Sequence, residues 1–309
     1  MPDLALKLKN PLAMLTPAYP EANIETKYKS PLVPLPTNAF IPQRDLDKTP
    51  VLEVSHLGID FGGLTAVDDF NLTIGRTEIA GLIGPNGAGK TTIFNLLTKV
   101  YQPTRGTIMV DGIDTHSMNT AQVNKLGVAR TFQNIRLFKA MTVLDNVKIA
   151  FTKDIHYNLA DSLLRTKKYW NTEQELTDKA MEYLRIVHLD DKAGQLASSL
   201  PYGQQRKLEI ARALATNMKL LLLDEPAAGM NPTETAELLS CINTIRDTFH
   251  VAILLIEHDM SLVMRVCERI QVINFGQTIA AGLPSEIASN QEVIEAYLGE
   301  EEADDDAED

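Results

Sequence analysis

Cysteine is scarce in this chain, with two residues among 309. Cys241 and Cys267 share no short metal-ligand spacing, and both fall in apolar, helix-like patterns. This excludes a disulfide framework or a zinc ribbon and predicts buried, reduced thiols. Long apolar runs are also missing. Val251 to Ile256 is among the longest, far below the roughly 18 residues a helix needs to cross a bilayer, so the chain is not expected to span a membrane by itself. The first residues, MPDLALKLKN, show no continuous apolar stretch and no small-residue cleavage site, so no secretory signal is visible and a cytoplasmic location is expected. Basic clusters are lacking too. The formal net charge is −12 from 29 bases and 41 acids, but eight of those acids lie in the last ten residues, EEEADDDAED. The body is therefore only mildly acidic, 33 acids against 29 bases, without the positive footprint of a phosphate-backbone binder. Nucleic acid is not an expected partner.

What remains is an ordinary soluble composition, 44% apolar and 23% charged, in a chain long enough for one or two packed units. Nine of the 15 prolines fall in the first fifty residues. Each removes a backbone donor and disfavours helix in the residue before it, so residues 1–50 read as a largely unstructured arm in which Leu4, Leu6 and Leu8 could touch a partner or a membrane surface. The acidic residues 299–309 read as a solvated tail. Between them, residues 51–298 carry the fold. Val51 to Ile59 alternates like a strand, and Asn71 to Ile74 and Glu78 to Ile83 follow as apolar segments. A glycine-rich turn then opens a helix from Gly89 to Thr98. Residues 140–200 read as helices, with a polar, lysine-rich and aromatic section from Thr152 to Trp170. Lys219 to Leu223 and Val251 to Ile256 are continuous apolar runs, the pattern of parallel strands covered on both faces. Helices are expected at 203–216, 233–248 and 260–268. The fold class is α/β, with an inserted helical subdomain at about 135–215.

Gly84, Pro85, Asn86, Gly87, Ala88, Gly89, Lys90, Thr91 and Thr92 spell GPNGAGKTT, directly after a strand and directly before a helix. That is the context a phosphate-binding loop requires. Glycines let successive N–H groups converge on phosphate oxygens, and the helix N-terminus adds partial positive charge. Lys90 neutralises the phosphates, and the Thr91 hydroxyl can ligate Mg²⁺. Leu220 to Glu225, LLLLDE, is an apolar strand ending in two acids at the carboxyl edge of the sheet, where such folds bind ligands. Asp224 suits a direct or indirect Mg²⁺ carboxylate. Glu225 suits polarisation of a water that attacks the γ-phosphorus in line. The expected ligands are a nucleoside triphosphate and Mg²⁺.

Together with Gln133 in RTFQN, LPYGQQRKLEIARAL at 200–214, AAGMNP at 227–232 and IEHD at 256–259, these motifs resemble, in order, the nucleotide-binding subunits of ATP-binding-cassette (ABC) transporters over residues 51 to about 298. The resemblance implies a P-loop NTPase core of mostly parallel sheet, an antiparallel β subdomain and the helical insertion. It implies an ATPase working as a head-to-tail pair, in which Tyr202, Gly203 and Gln204 face the γ-phosphate held by the other protomer. Gln133 would ligate Mg²⁺ or water, and Asn231 would make contacts across the pair. His258 would hydrogen-bond the γ-phosphate and the attacking water, and Phe61 would stack on adenine. Gly203 permits close backbone approach, and the helix it opens, with Leu208, Ala211 and Ala215 on one face, points its positive end at an anion.

Two positions depart from the family pattern. Pro201 stands where the signature segment usually has Ser, which removes a hydroxyl contact to phosphate of the kind that contributes roughly 1.5–3 kcal/mol. Either Tyr202 and Gly203 compensate or this half-site hydrolyses more slowly. Asn231 stands where Asp is usual, and asymmetric pairing would tolerate both changes. The segments FGGLTAVDDF, VARTFQNIRLFKAMTVLDNV and IEHDMSLVM look most like the ATPases of branched-chain amino-acid importers. That kinship implies a second, shorter ABC ATPase as partner, or else a homodimer. It also implies two membrane permeases, reached through residues 134–141 with Leu137 and Phe138 as contacts, and, indirectly, a periplasmic or extracellular substrate-binding protein. The expected station is the cytoplasmic face of the cell membrane. Related systems for urea, amides or lipopolysaccharide, a soluble ABC protein of translation or repair, and a P-loop kinase are the alternatives. The last would lack LPYGQ and EHD.

Overall fold

The computed structural model describes residues 50–155 and 157–297. Nearly all of the proline-rich arm and the acidic tail lie outside them. Two sheets organise the described chain. The first is antiparallel, in the order β2-β1-β4-β5, from β1 (Leu52–Phe61), β2 (Leu64–Ile74), β4 (Arg105–Val110) and β5 (Ile113–Asp114). The second has six strands in the order β10-β9-β3-β8-β7-β6: β3 (Ile79–Ile83), β6 (Val128–Arg130), β7 (Leu220–Asp224), β8 (Ala252–Ile256), β9 (Arg269–Asn274) and β10 (Gln277–Gly282). All neighbours in it are parallel except β9 and β10.

The unbroken apolar runs of β3, β7 and β8 have a direct physical cause. Successive side chains point to opposite faces, and both faces are buried. Ile79, Ile83, Leu221, Leu223, Ile253 and Leu255 enter one core, shared with helices. Ala80, Leu82, Leu220, Leu222, Leu254 and Ile256 enter the other, under the antiparallel sheet and α1 (Lys90–Leu97). A polar residue at any of these positions would be buried without a partner.

Chain order and spatial order differ in the way that builds the site. Strand β8 lies between β3 and β7, in register Leu82↔Ile256 and Asp224↔Ile256. Three parallel strands therefore end at one level, and the segments leaving them, at residues 84–92, 225 and 257–258, emerge together on the carboxyl edge.

The helical part comprises α3 (Val143–Lys148), α4 (Leu159–Leu164), α5 (Lys167–Ile186) and α6 (Tyr202–Leu214); α2 (Thr120–Lys125) precedes β6. Helix α5 buries Thr172, Leu176, Ala180 and Leu184, an i, i+4 stripe on an otherwise polar helix. Helices α7 (Pro232–Phe249) and α8 (Met260–Val266) cover the sheet, and α9 (Pro284–Ala288) follows β10. The expected strands and helices lie within a few residues of their predicted limits, and α6 ends two residues short of the expected 203–216. Strand β2 begins seven residues earlier than its expected start, because the buried Val67 and Phe70 are separated from its apolar end by exposed or half-buried polar residues and break the alternation. Strands β6 and β10 lack one for similar reasons: β6 is three residues long, and β10 is a half-exposed edge. Both thiols are free and buried. No helix among the described residues is long and apolar enough to cross a membrane.

Candidate functional site

The loop after β3 is shaped by its glycines. Gly84 has φ 154°, and a Cβ there would collide with the Ile273 carbonyl. Gly87 has φ 74° and open space around it. Gly89, at φ 104°, is the N-cap of α1. That helix has neither a side-chain cap nor an acid in its first turn, so no side-chain cap or negative charge of its own competes for its leading end, as suits an anion site. The Lys90 ammonium is buried and donates to the carbonyl oxygens of Gly84 (2.5 Å) and Pro85 (2.7 Å). Thr91 and Asn86 are exposed and Thr92 half-buried.

Asp224 ends β7 with its carboxylate buried and paired to Arg130 at 2.7 Å. Arg130 also donates to Asn95 Oδ1 on α1 (2.7 Å) and lies over the rings of Phe94 and Phe132. One guanidinium thus joins the β6 end, the β7 end and the helix of the phosphate loop. Glu225 follows in the left-handed region, φ 45°, a costly conformation for a side-chain-bearing residue and one that recurs at functional sites. Its N–H donates to Ile256 O (3.0 Å). Its carboxylate accepts from Gln133 Nε2 at 2.7 Å. With Nε2 so occupied, Gln133 Oε1 is the atom of that amide turned to other uses.

Next to these, Glu257 is buried and accepts from Ala227 N–H (2.9 Å). Burial, offset in part by that bond, pushes its carboxyl above the ordinary range. His258 is exposed, with Nδ1 3.9 Å from Glu257. Phe61, at the end of β1, is exposed and packs edge-on against Tyr101 with ring centres 5.3 Å apart. Tyr101 gave no motif signal.

The signature segment lies at the start of α6. Pro201 is the N-cap residue, without a side-chain cap bond, and Tyr202 is exposed beside Gly229. Gly203 is buried against Glu234, which a Cβ would approach to 3.0 Å. Gln204 accepts from Lys192 Nζ (2.7 Å). Asn231 caps α7, accepting from Glu234 N–H (3.0 Å) while Glu234 accepts from Asn231 N–H (3.2 Å). The structure thus brings the phosphate loop, Asp224, Glu225 and Gln133 together, whereas Gln204 and Asn231 carry bonds within their own neighbourhoods.

Sequence reasoning passed over Arg206. It is wholly buried in α6 and donates to the carbonyls of Phe132 (2.6 Å) and Gln133 (2.9 Å) and to Glu209 (2.8 Å). Glu209 in turn accepts from Arg136 N–H (3.1 Å). The backbone carrying Gln133 is therefore clamped to α6. Beside it lies a cleft of about 590 Å³ lined by Arg136, Leu137, Phe138, Ile149, Glu209 and Arg212. Asn146, also buried, shapes its rim by accepting from Phe138 N–H (2.9 Å) and donating to Phe138 O (3.0 Å) and Thr142 O (2.9 Å).

The donor set suits Mg²⁺. Thr91 offers a hydroxyl and Gln133 an amide oxygen, hard ligands too few for a complete cage, as is usual where phosphates and water supply the rest. Among the described residues no group of three His, Cys, Asp or Glu is placed to hold a metal alone.

A family model described as "ABC transporter" matches residues 67–228, and one described as "Branched-chain amino acid ATP-binding cassette transporter" matches residues 277–303. The chain is 47% identical to the high-affinity branched-chain amino acid transport ATP-binding protein BraF of Pseudomonas aeruginosa, over 81% of this chain and 98% of that protein. It is equally similar, over the same shares, to the LivG protein of Escherichia coli, which bears the same description. It is 32% identical to the lipopolysaccharide export system ATP-binding protein LptB of Haemophilus influenzae, over 81% and 98%. A solved ATP-binding cassette of an ABC transporter in its ADP conformation superposes with a TM-score of 0.71 at 28% identity, covering 82% of this chain and 100% of that one.

Proposed function

Since this chain belongs to the ABC transporter family, as an ATP-hydrolysing subunit, we propose that it powers the uptake of branched-chain amino acids through partner permeases. The observation that carries the reading is the 47% identity, along 98% of their length, to two proteins named for branched-chain amino acid transport.

The chemistry follows from the edge where β3, β8 and β7 end. The phosphates of ATP lie in the loop 84–92 against the N-terminus of α1. Lys90, held by two loop carbonyls, turns its ammonium to the phosphate oxygens. Adenine stacks on Phe61, with Tyr101 buttressing that ring from its edge. Thr91 and Gln133, with Asp224 behind them, would hold Mg²⁺, which would supply neutralisation of phosphate charge. Glu225 accepts the proton of the attacking water, and His258, exposed next to Glu257, donates to the γ-phosphate.

A facing protomer, either a second cassette subunit or another copy of this chain, closes the site with Tyr202, Gly203 and the head of α6. Because the Gln204 side chain already holds Lys192, the backbone N–H groups of that first turn carry the contact. Pro201 removes one of the usual donors. Asn231 reaches across with the part of its amide that does not cap α7. Two permeases dock at the cleft beside Phe138, and movement of the Gln133 segment passes to them. A substrate-binding protein acts only through the permeases. The chain works on the cytoplasmic face of the membrane.

The test is complementation of a strain lacking its branched-chain transport ATPase, with radiolabelled leucine uptake as readout. Restored uptake, lost again with Glu225→Gln, is expected. Folded, ATP-hydrolysing protein that leaves leucine uptake at zero while restoring uptake of another solute would overturn the assignment.

A further inference from the structure

Helix α4 is built inside out. At 100° per residue, Leu159, Ala160, Leu163 and Leu164 occupy a continuous arc of about 140°, and this is the face turned to solvent. Leu159 is 86% exposed, Leu163 82% and Leu164 74%, and no residue of the helix is buried. The polar side faces the protein. Asp161 closes a capping box with Asn158 and accepts from the Thr166 hydroxyl at 2.9 Å. Thr166 then caps α5.

The display is therefore held in place rather than being a loose loop. Tyr157, bonded to Glu173 (2.8 Å) and edge-on to Tyr169 (5.0 Å), fixes the entry to α4. Just beyond the leucines stand Arg165, Lys167 and Lys168, all exposed, and then Trp170, 55% exposed. Lys167 and Lys168 occupy the first turn of a 20-residue helix that has no acid there. That is where the helix dipole disfavours cations, so their placement does not serve α5. Asp161 is turned inward, and Glu173 is engaged by Lys148 (2.9 Å). The exposed acids Glu175 and Asp178 lie further along α5.

Outward leucines and a tryptophan flanked by cations form the pattern of a segment lying in a headgroup boundary. The cations supply the charge complementarity, in a chain whose net charge of −12 would otherwise repel such a surface. We propose that α4 and the basic turn after it dock the chain directly on an anionic phospholipid surface, with Leu159, Leu163, Leu164 and Trp170 entering the boundary and Arg165, Lys167 and Lys168 meeting the phosphates. This contact does not depend on what the transporter carries.

Trp170 is the only tryptophan of the chain and reports on its own site. The full chain is titrated with vesicles of phosphatidylglycerol and phosphatidylcholine in equal parts, and with vesicles of phosphatidylcholine alone. A blue shift of Trp170 emission with the anionic vesicles only, reversed by salt, is the expected result. The double variants Leu163→Glu/Leu164→Glu and Lys167→Glu/Lys168→Glu should each weaken vesicle partitioning on the order of tenfold or more while ATP hydrolysis in solution is retained. An unshifted spectrum with both vesicle types would overturn the proposal, as would equal partitioning onto both. A shift that arises only with detergent-solubilised permease would overturn it too, assigning the patch to a protein contact.

Discussion

Gln133 donates a 2.7 Å hydrogen bond from its side-chain amide to the carboxylate of Glu225. The two residues lie 92 positions apart in the chain. The bond ties the segment that leads into the helical part to the acid at the end of β7, so a displacement of that segment changes the surroundings of the carboxylate. Glu225→Gln should lower ATP turnover by roughly 10²–10⁴-fold with nucleotide affinity kept, the usual scale for losing a general base. Gln133→Ala should cost about ten- to a hundredfold in turnover, the worth of one hydrogen bond to a charged group. Single-turnover hydrolysis alongside equilibrium binding of a fluorescent ATP analogue checks both. Unchanged hydrolysis in the Glu225 variant would remove that residue from the reaction.

Lys90→Ala should weaken ATP binding tenfold or more, since a charge-assisted contact to phosphate of roughly 1.5–3 kcal/mol is lost. The α1 dipole and loop N–H groups remain, so binding is reduced rather than abolished. Calorimetric titration measures this, and wild-type affinity would contradict the cradle.

Arg206→Leu should destabilise the fold by about 3–5 kcal/mol, because it strands the buried Glu209 and frees two carbonyls. Arg206→Lys should recover only part of this, since an ammonium cannot reproduce the planar fork that reaches Phe132, Gln133 and Glu209 together. Urea midpoints of the three proteins give the comparison; equal midpoints for wild type and Arg206→Leu would show that the clamp contributes nothing.

Glu257 binds its proton more tightly in the folded state, because burial outweighs the backbone N–H groups it accepts, Ala227's first. Folding therefore takes up a proton as pH rises past the ordinary glutamate value of 4.5, and stability falls from there up to the raised folded value. Glu257→Gln keeps an oxygen for Ala227 N–H and should remove this slope, raising the melting temperature at neutral pH by about 2–4 °C for each kcal/mol relieved. Melting curves of both proteins from pH 4 to 8 test it, and parallel curves would refute it.

The thiols should be silent in the native protein. Burial pushes Cys241 up to about 11 and Cys267 further, so neither forms the thiolate that reacts. Iodoacetamide should label neither residue until denaturant is added. Labelling at the rate of a free thiol would place one of them at the surface.

The local motifs were legible in the residues because their chemistry is local. Glycines at 84, 87 and 89, the lysine after them and the acid pair after LLLL each act within a few residues of backbone, and parallel strands buried on both faces announce themselves as unbroken apolar runs. Arg130 and Arg206 were not legible. Their partners Asp224 and Phe132 lie 94 and 74 positions away, and an arginine in VARTFQN or QQRKL carries no sign of whether it will be solvated or wholly enclosed. Helix α4 was hidden for a related reason: its apolar spacing is that of an ordinary core-facing helix, and only packing reveals that the face is turned outward.

Residue type and spacing alone therefore settled which ligand the phosphate loop is chemically fit to hold and which strands are central. Which residues share the carboxyl edge was decided by folding, because β8, late in the chain, inserts between β3 and β7. Register then aligns Leu82, Ile256 and Asp224 across three strands, and that alignment is a property of the sheet rather than of any stretch of sequence.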